Sequence, residues 1–147
     1  MTNDDITGLL KQSAASLAKA TTELGDKSQW SPLDKGRTAA NQVAECALIA
    51  AGAAGILKAK SAESVDMSGF GQAVAALASD TSAALAALAA NTETLCAVVA
   101  TLTEADAGIS ITMPWGMSYT LPELALLVNW NNTYHEGQIN YIATLLA

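Results

Sequence analysis

The stretch from Thr120 to Ala147 constrains the rest of this chain most. Thr120, Leu121, Pro122 and Glu123 form a capping box with a proline inside the first turn, which is a start signal for a helix. The apolar rhythm that follows predicts about 27 helical residues, a rod of roughly 40 Å at about 1.5 Å per residue. Leu124, Leu127, Val128, Asn131, His135, Gln138, Ile142 and Leu145 recur largely at steps of three and four. Asn131, His135 and Gln138 therefore interrupt an apolar, inward-facing stripe. Burying such groups without partners costs on the order of 1 to 3 kcal/mol each, so the other helices have to bring hydrogen-bond partners, a metal ion or a wet cavity to them. His135 is the only histidine in the chain.

The 147 residues, 51% of them hydrophobic, are the usual size for one domain spanning 1–147 and can bury a core without disulfide staples. Seven Lys and Arg stand against fourteen Asp and Glu, for a formal net charge of −7. No basic cluster could follow a phosphate backbone, so nucleic acid is not an expected partner. Cys46 and Cys96 lack the paired spacing of a zinc or redox motif and read as free thiols in a reducing compartment, the cytoplasm. Glu45, Lys58, Asp80, Glu93, Glu104 and Glu123 are expected to break the apolar runs before any reaches about 18 residues, which argues against a membrane span. Asp4 and Asp5 stand where a signal peptide would carry basic residues.

Three further helices precede the last one. The first is predicted over Asn3 to Leu24, with Thr2 or Asn3 as its cap and Gly25 at its end. A loop from Asp26 to Arg37, pinned by Trp30, leads to a second helix from Thr38 to Ala59 that is apolar nearly all the way round. Glu45 is its only carboxylate, and near the middle of so apolar a helix it needs a partner. Gly52 and Gly55, and Gly137 in the last helix, are expected to let a neighbouring helix approach closely; an open cavity above Gly137 would read the same way. A third helix is predicted as one piece from Ser68 to Thr101, its Ala-rich stretch serving close packing. The alternation at Ile109 to Met113, the turn at Pro114-Trp115-Gly116 and the segment Met117 to Tyr119 predict a short hairpin. The fold class is all-α: four helices with connections suited to an antiparallel bundle, and an extended hairpin before the last helix.

Three motifs in this order and spacing carry a family resemblance. They are Trp30-Ser31-Pro32 ahead of Thr38, Pro114-Trp115-Gly116 ahead of Thr120-Leu121, and Tyr134-His135-Glu136-Gly137-Gln138 near the end. Over nearly its whole length the chain resembles the DinB/YfiT-like superfamily of four-helix bundles, many of them metal-dependent. The resemblance implies a metal triad, with one histidine on the second helix and two histidines four apart on the last. By position these ligands fall on Glu45, Asn131 and His135, of which only His135 is a histidine. Glu can bind a divalent ion and Asn is a weak neutral ligand, so the site reads as degenerate, with no cofactor expected and no tightly held metal.

The candidate cluster is Glu45, Asn131, His135 and Gln138. It could be a satisfied buried network, a divalent-metal site, or an acid/base couple of Glu45 and His135. Cys46 reads as an inert packing group, Tyr134 as a partly exposed phenol and Glu136 as solvent-facing. Three functions follow: a small-ligand binder, a metal- or thiol-dependent transferase or isomerase as the resemblance implies, or a structural dimerising bundle. Because the second helix is apolar on more faces than a bundle covers, a homodimer is the expected assembly.

Overall fold

A computed structural model describes all 147 residues, Met1–Ala147, and is mostly helical with one small two-stranded sheet. The helices are α1 (Asn3–Glu23), α2 (Ala39–Ala59), α3 (Phe70–Ala78), α4 (Thr81–Ala100) and α5 (Leu121–Leu146). The strands β1 (Ser110–Thr112) and β2 (Ser118–Thr120) pair antiparallel, with Ile111 opposite Tyr119. Helix α2 packs chiefly on α4 and α1 on α5, while α1 also meets α4 and α2 also meets α5.

The caps explain where the helices begin. Thr2 and Asp5 form a capping box at α1, and Thr120 and Glu123 form another at α5; each pair exchanges side chain and backbone so that two orphan amides are met. Thr38 Oγ1 accepts from Asn41 N at the head of α2. The single long third helix expected from Ser68 to Thr101 is divided. It starts at Phe70 and breaks after Ala78, because Asp80 leaves the helical region (φ −129°, ψ 104°) and its carboxylate caps α4 by accepting from Ala83 N. An aspartate that can satisfy the first turn of a new helix competes with continuing the old one.

The loop between α1 and α2 is held on that break. Ser28 Oγ lies 2.8 Å from Thr81 Oγ1, and Gln29 Nε2 donates to Ala78 O at 2.7 Å, which meets a carbonyl at the end of α3. Trp30, expected to be the pin, is only half-buried. The loop then tightens: Leu33 and Asp34 adopt φ of 54° and 58°, and Gly36 N donates to Pro32 O at 2.7 Å. A Cβ on Gly36 would stand 2.8 Å from that oxygen, so only glycine permits the close turn that delivers Arg37 to the head of α2.

The expected close approaches at Gly52, Gly55 and Gly137 do not occur. A Cβ at any of the three would meet nothing within 4 Å. Gly52 and Gly55 lie on the exposed side of α2, and Gly137 faces open space, as its alternative reading allowed. Twelve of the 21 residues of α2 are buried within one chain, so its excess of apolar faces is largely taken up by its own neighbours. Helices α2 and α4 are each long and apolar enough, by length and composition, to cross a membrane, which corrects the expectation that charges break every such run; a single carboxylate in each does not do so. Here 61% of that stretch of α2 and 33% of that of α4 are buried inside the fold.

Candidate functional site

The polar groups of α5 meet those of the first turns of α2. His135 is 2% exposed. Its Nε2 lies 3.2 Å from Glu45 Oε1, and its Nδ1 lies 2.8 Å from Gln42 Oε1 and 3.0 Å from Gln138 Oε1. Gln42 and Glu45 are three residues apart on α2, and His135 and Gln138 three apart on α5, so each helix offers two groups from one face. The imidazole is thus surrounded by three oxygen acceptors.

Glu45 is the hinge of the network. Its second oxygen, Oε2, accepts a hydrogen bond from Arg37 Nη2, and Arg37 Nε donates to Asn41 Oδ1 at 2.7 Å. The hydrogen bond from His135, and next the neighbouring charge of Arg37, hold the Glu45 carboxyl below its ordinary value of 4.5 even though burial pushes the other way. The carboxylate expected to be expensive in α2 is therefore met by two donors and keeps 21% of its side-chain surface. Arg37 and Gln42 were not singled out from the sequence. Gln42 could have been, from its three-residue spacing to Glu45; Arg37 sits in a loop, where a basic residue reads as solvated.

Of the four candidates, Glu45, His135 and Gln138 come together and Asn131 does not join them. Asn131 is half-buried and its Nδ2 donates to Cys46 Sγ at 3.3 Å. The fully buried asparagine is its neighbour Asn132, which donates to Ser13 Oγ at 3.2 Å and leaves its Oδ1 without a partner. Burial, with the charge of Glu45 next in effect, pushes the Cys46 thiol up to about 12, so it stays protonated and inert. Cys96 is likewise a free, buried thiol pushed up by burial.

The donor set does not fit a divalent ion. No three His, Cys, Asp or Glu side chains converge as a metal site needs. Glu45 and His135 are closed on each other at hydrogen-bond distance, the position-equivalent Asn131 is turned to a sulfur, and the positive charge beside the carboxylate comes from Arg37.

Next to the network lies an open cleft of about 490 Å³. Arg37, Gln42, Tyr134, Gly137, Gln138 and Tyr141 line it, with Pro32 and Ile142 adding apolar wall. Tyr134 is 50% exposed as expected, stacked on Trp130 with ring centroids 5.5 Å apart, and its Oη accepts from Gln138 Nε2 at 3.0 Å. Glu136, expected to face solvent, is half-buried. Both nitrogens of His135 are engaged inside the protein, and the ring is not part of the cleft wall. The arrangement can bind through Arg37 and the two amides, whereas proton transfer by His135 to a molecule in the cleft would require Gln42 or Gln138 to swing aside. No family model, curated protein or solved structure matches the chain.

Proposed function

We propose that this is a DinB-like four-helix-bundle protein that binds a small molecule in the cleft beside Arg37, with an ion-pair network in the place of the family's metal triad. The bundle reading is supported by the reciprocal packing of α1, α2, α4 and α5 and by the order of the three motifs named above. The observation that carries the functional reading is the cleft itself. Its volume lies within the range of about 300 to 1,000 Å³ usual for small-molecule sites, and fixed polar groups stand in its wall. Gln42 and Gln138 are locked by His135, and His135 by Glu45, so the wall is preorganised from behind.

The test is a protein-observed NMR titration with a panel of small acids, amides and alcohols. Saturable shifts clustered at Gln42, Tyr134, Gly137 and Gln138, and lost in Gly137→Leu, are the expected result. The Cβ of that substitution meets nothing within 4 Å, so the new side chain enters the cleft and replaces a helix-weakening glycine worth about 1 kcal/mol. Shifts scattered over the surface and unchanged in Gly137→Leu would overturn the reading. Near one zinc, nickel or manganese per chain after dialysis, abolished by His135→Ala, would move a metal-dependent transferase into its place. Assembly as a homodimer belongs to the same proposal, and light scattering that returns only the 15.0 kDa monomer at micromolar concentration removes it.

A further inference from the structure

Resting on that ligand-binding reading, we infer that the cleft selects a carboxylate, carried on a small flat apolar body. The cleft wall contains one cation and no Asp or Glu, in a chain where acids outnumber bases two to one. Arg37 spends Nε on Asn41 and one Nη2 hydrogen on Glu45. A guanidinium has five N–H donors in a planar fork, and the remaining ones have no acceptor in the protein. The amides reinforce this sign. Both glutamine oxygens are turned to His135 Nδ1, so what these side chains have left is their Nε2 groups; Gln42's donates to Arg37 O at 3.5 Å and Gln138's to Tyr134 Oη, each amide keeping a second hydrogen. Tyr134 Oη accepts that bond and so keeps its own hydrogen to give. The polar wall offers donors, and a donor-lined wall is complementary to an acceptor-only group.

Charge points the same way. Glu45 is engaged by both Arg37 and His135 and is not part of the cleft wall, so the guanidinium is the one charged group that the wall presents. The rest of the wall is Tyr134, Tyr141, Pro32 and Ile142 around the bare backbone of Gly137. Tyr134 is held flat by Trp130, at 16° between planes, and a ring-bearing acid can lie on such a surface while its carboxylate reaches the fork of Arg37.

Benzoate and its neutral isostere benzamide, titrated separately into the full-length protein and followed by NMR, test this. Saturable binding of benzoate at Tyr134, Gly137 and Gln138 is expected, with benzamide weaker by about tenfold or more. Arg37→Gln should bring benzoate down to the level of benzamide, and Arg37→Lys should recover part of the difference, because it keeps the charge and loses the fork. Equal binding of the two probes at these residues, or benzoate binding indifferent to Arg37→Gln, overturns the carboxylate inference and leaves the cleft reading standing. No saturable shift at these residues with either probe overturns both.

Discussion

The two ends of the core are built differently. Toward the hairpin, seventeen buried residues form one cluster in which Leu10, Leu57, Leu95, Leu121 and Val128 are joined by Ile111 and Met113, and only five are alanine. Toward the site, the corresponding cluster has thirteen residues, seven of them alanine, with Leu17, Val43, Leu88 and Ile139 as its larger members. Burying a leucine contributes about 1.5 to 3 kcal/mol and an alanine much less, so the hairpin end draws on apolar area and the site end on its hydrogen bonds. The polar cluster is placed where the surrounding packing contributes least.

Packing substitutions should give the largest separation between the ends. Leu57→Ala, at a fully buried position in the hairpin-end cluster, should cost about 3 to 5 kcal/mol in denaturant unfolding. Leu17→Ala, equally buried among alanines, should cost about 2 to 3 kcal/mol. The reverse order would break the comparison.

Next in size is the coupling across α2 and α5. Glu45→Gln and His135→Gln should each destabilise by about 1 to 3 kcal/mol, since each leaves the other group poorly met. The double variant should cost less than their sum. Strict additivity would mean that the site end is not held by this pair.

Acid should then distinguish the ends by a smaller effect. A carboxyl held below its ordinary value binds fewer protons folded than unfolded, so its contribution is fully present above the unfolded value and is lost as pH falls through the folded one. For Glu45 that loss begins below 4.5. At the other end, Lys60 donates to Asp106 at 2.6 Å, and this hydrogen bond, with those from Thr103, holds Asp106 down at about 2, so its loss runs from 3.8 to about 2. Amide exchange followed during acidification should show α2 near Glu45 loosening at a higher pH than the segment around Asp106. In Glu45→Gln this first step should be absent. Simultaneous loosening of both regions in the native protein would count against two separately held ends.

The smallest effect is expected at Asn132. Its Oδ1 is buried without a partner, and Ser13 Oγ keeps its bond to Leu10 O when Asn132 is removed. Asn132→Leu should therefore change stability by less than about 1 kcal/mol, or raise it. A loss above about 2 kcal/mol would show that the polar contribution to this half extends to α1.

Much of this was legible in the sequence, for stated physical reasons. The start of α5 followed from a capping box, the hairpin from alternation around Pro114-Trp115-Gly116, and the meeting of Glu45 with His135 from the cost of leaving either alone in an apolar face. The break between α3 and α4 was hidden because the apolar rhythm runs through it, and only the capping bond of Asp80 stops the helix. The steps of three and four point Asn131 inward, whereas Asn132 is the buried residue, a difference of one position, or about 100° around a helix. Arg37 is not marked by any period, because its place is set by the irregular turn in which Gly36 N donates to Pro32 O just before the cap of α2.

The hold of Ser28 and Gln29 on the α3–α4 joint fixes an order of events in folding. Those bonds join residues 49 and 53 positions apart along the chain, so they can form only after the long intervening segment has been brought back. Until then the loop that ends at Arg37 is held only by its own short-range turns. The capping boxes of α1 and α5 and the bond from Arg37 to Glu45, eight positions on, are local and can form early, whereas the contacts of His135 with Gln42 and Glu45, 93 and 90 positions apart, come among the last steps. Substitutions at Ser28 or Gln29 should therefore leave the helices intact and delay the appearance of a binding-competent cleft, so that a refolding molecule regains its helicity before its affinity.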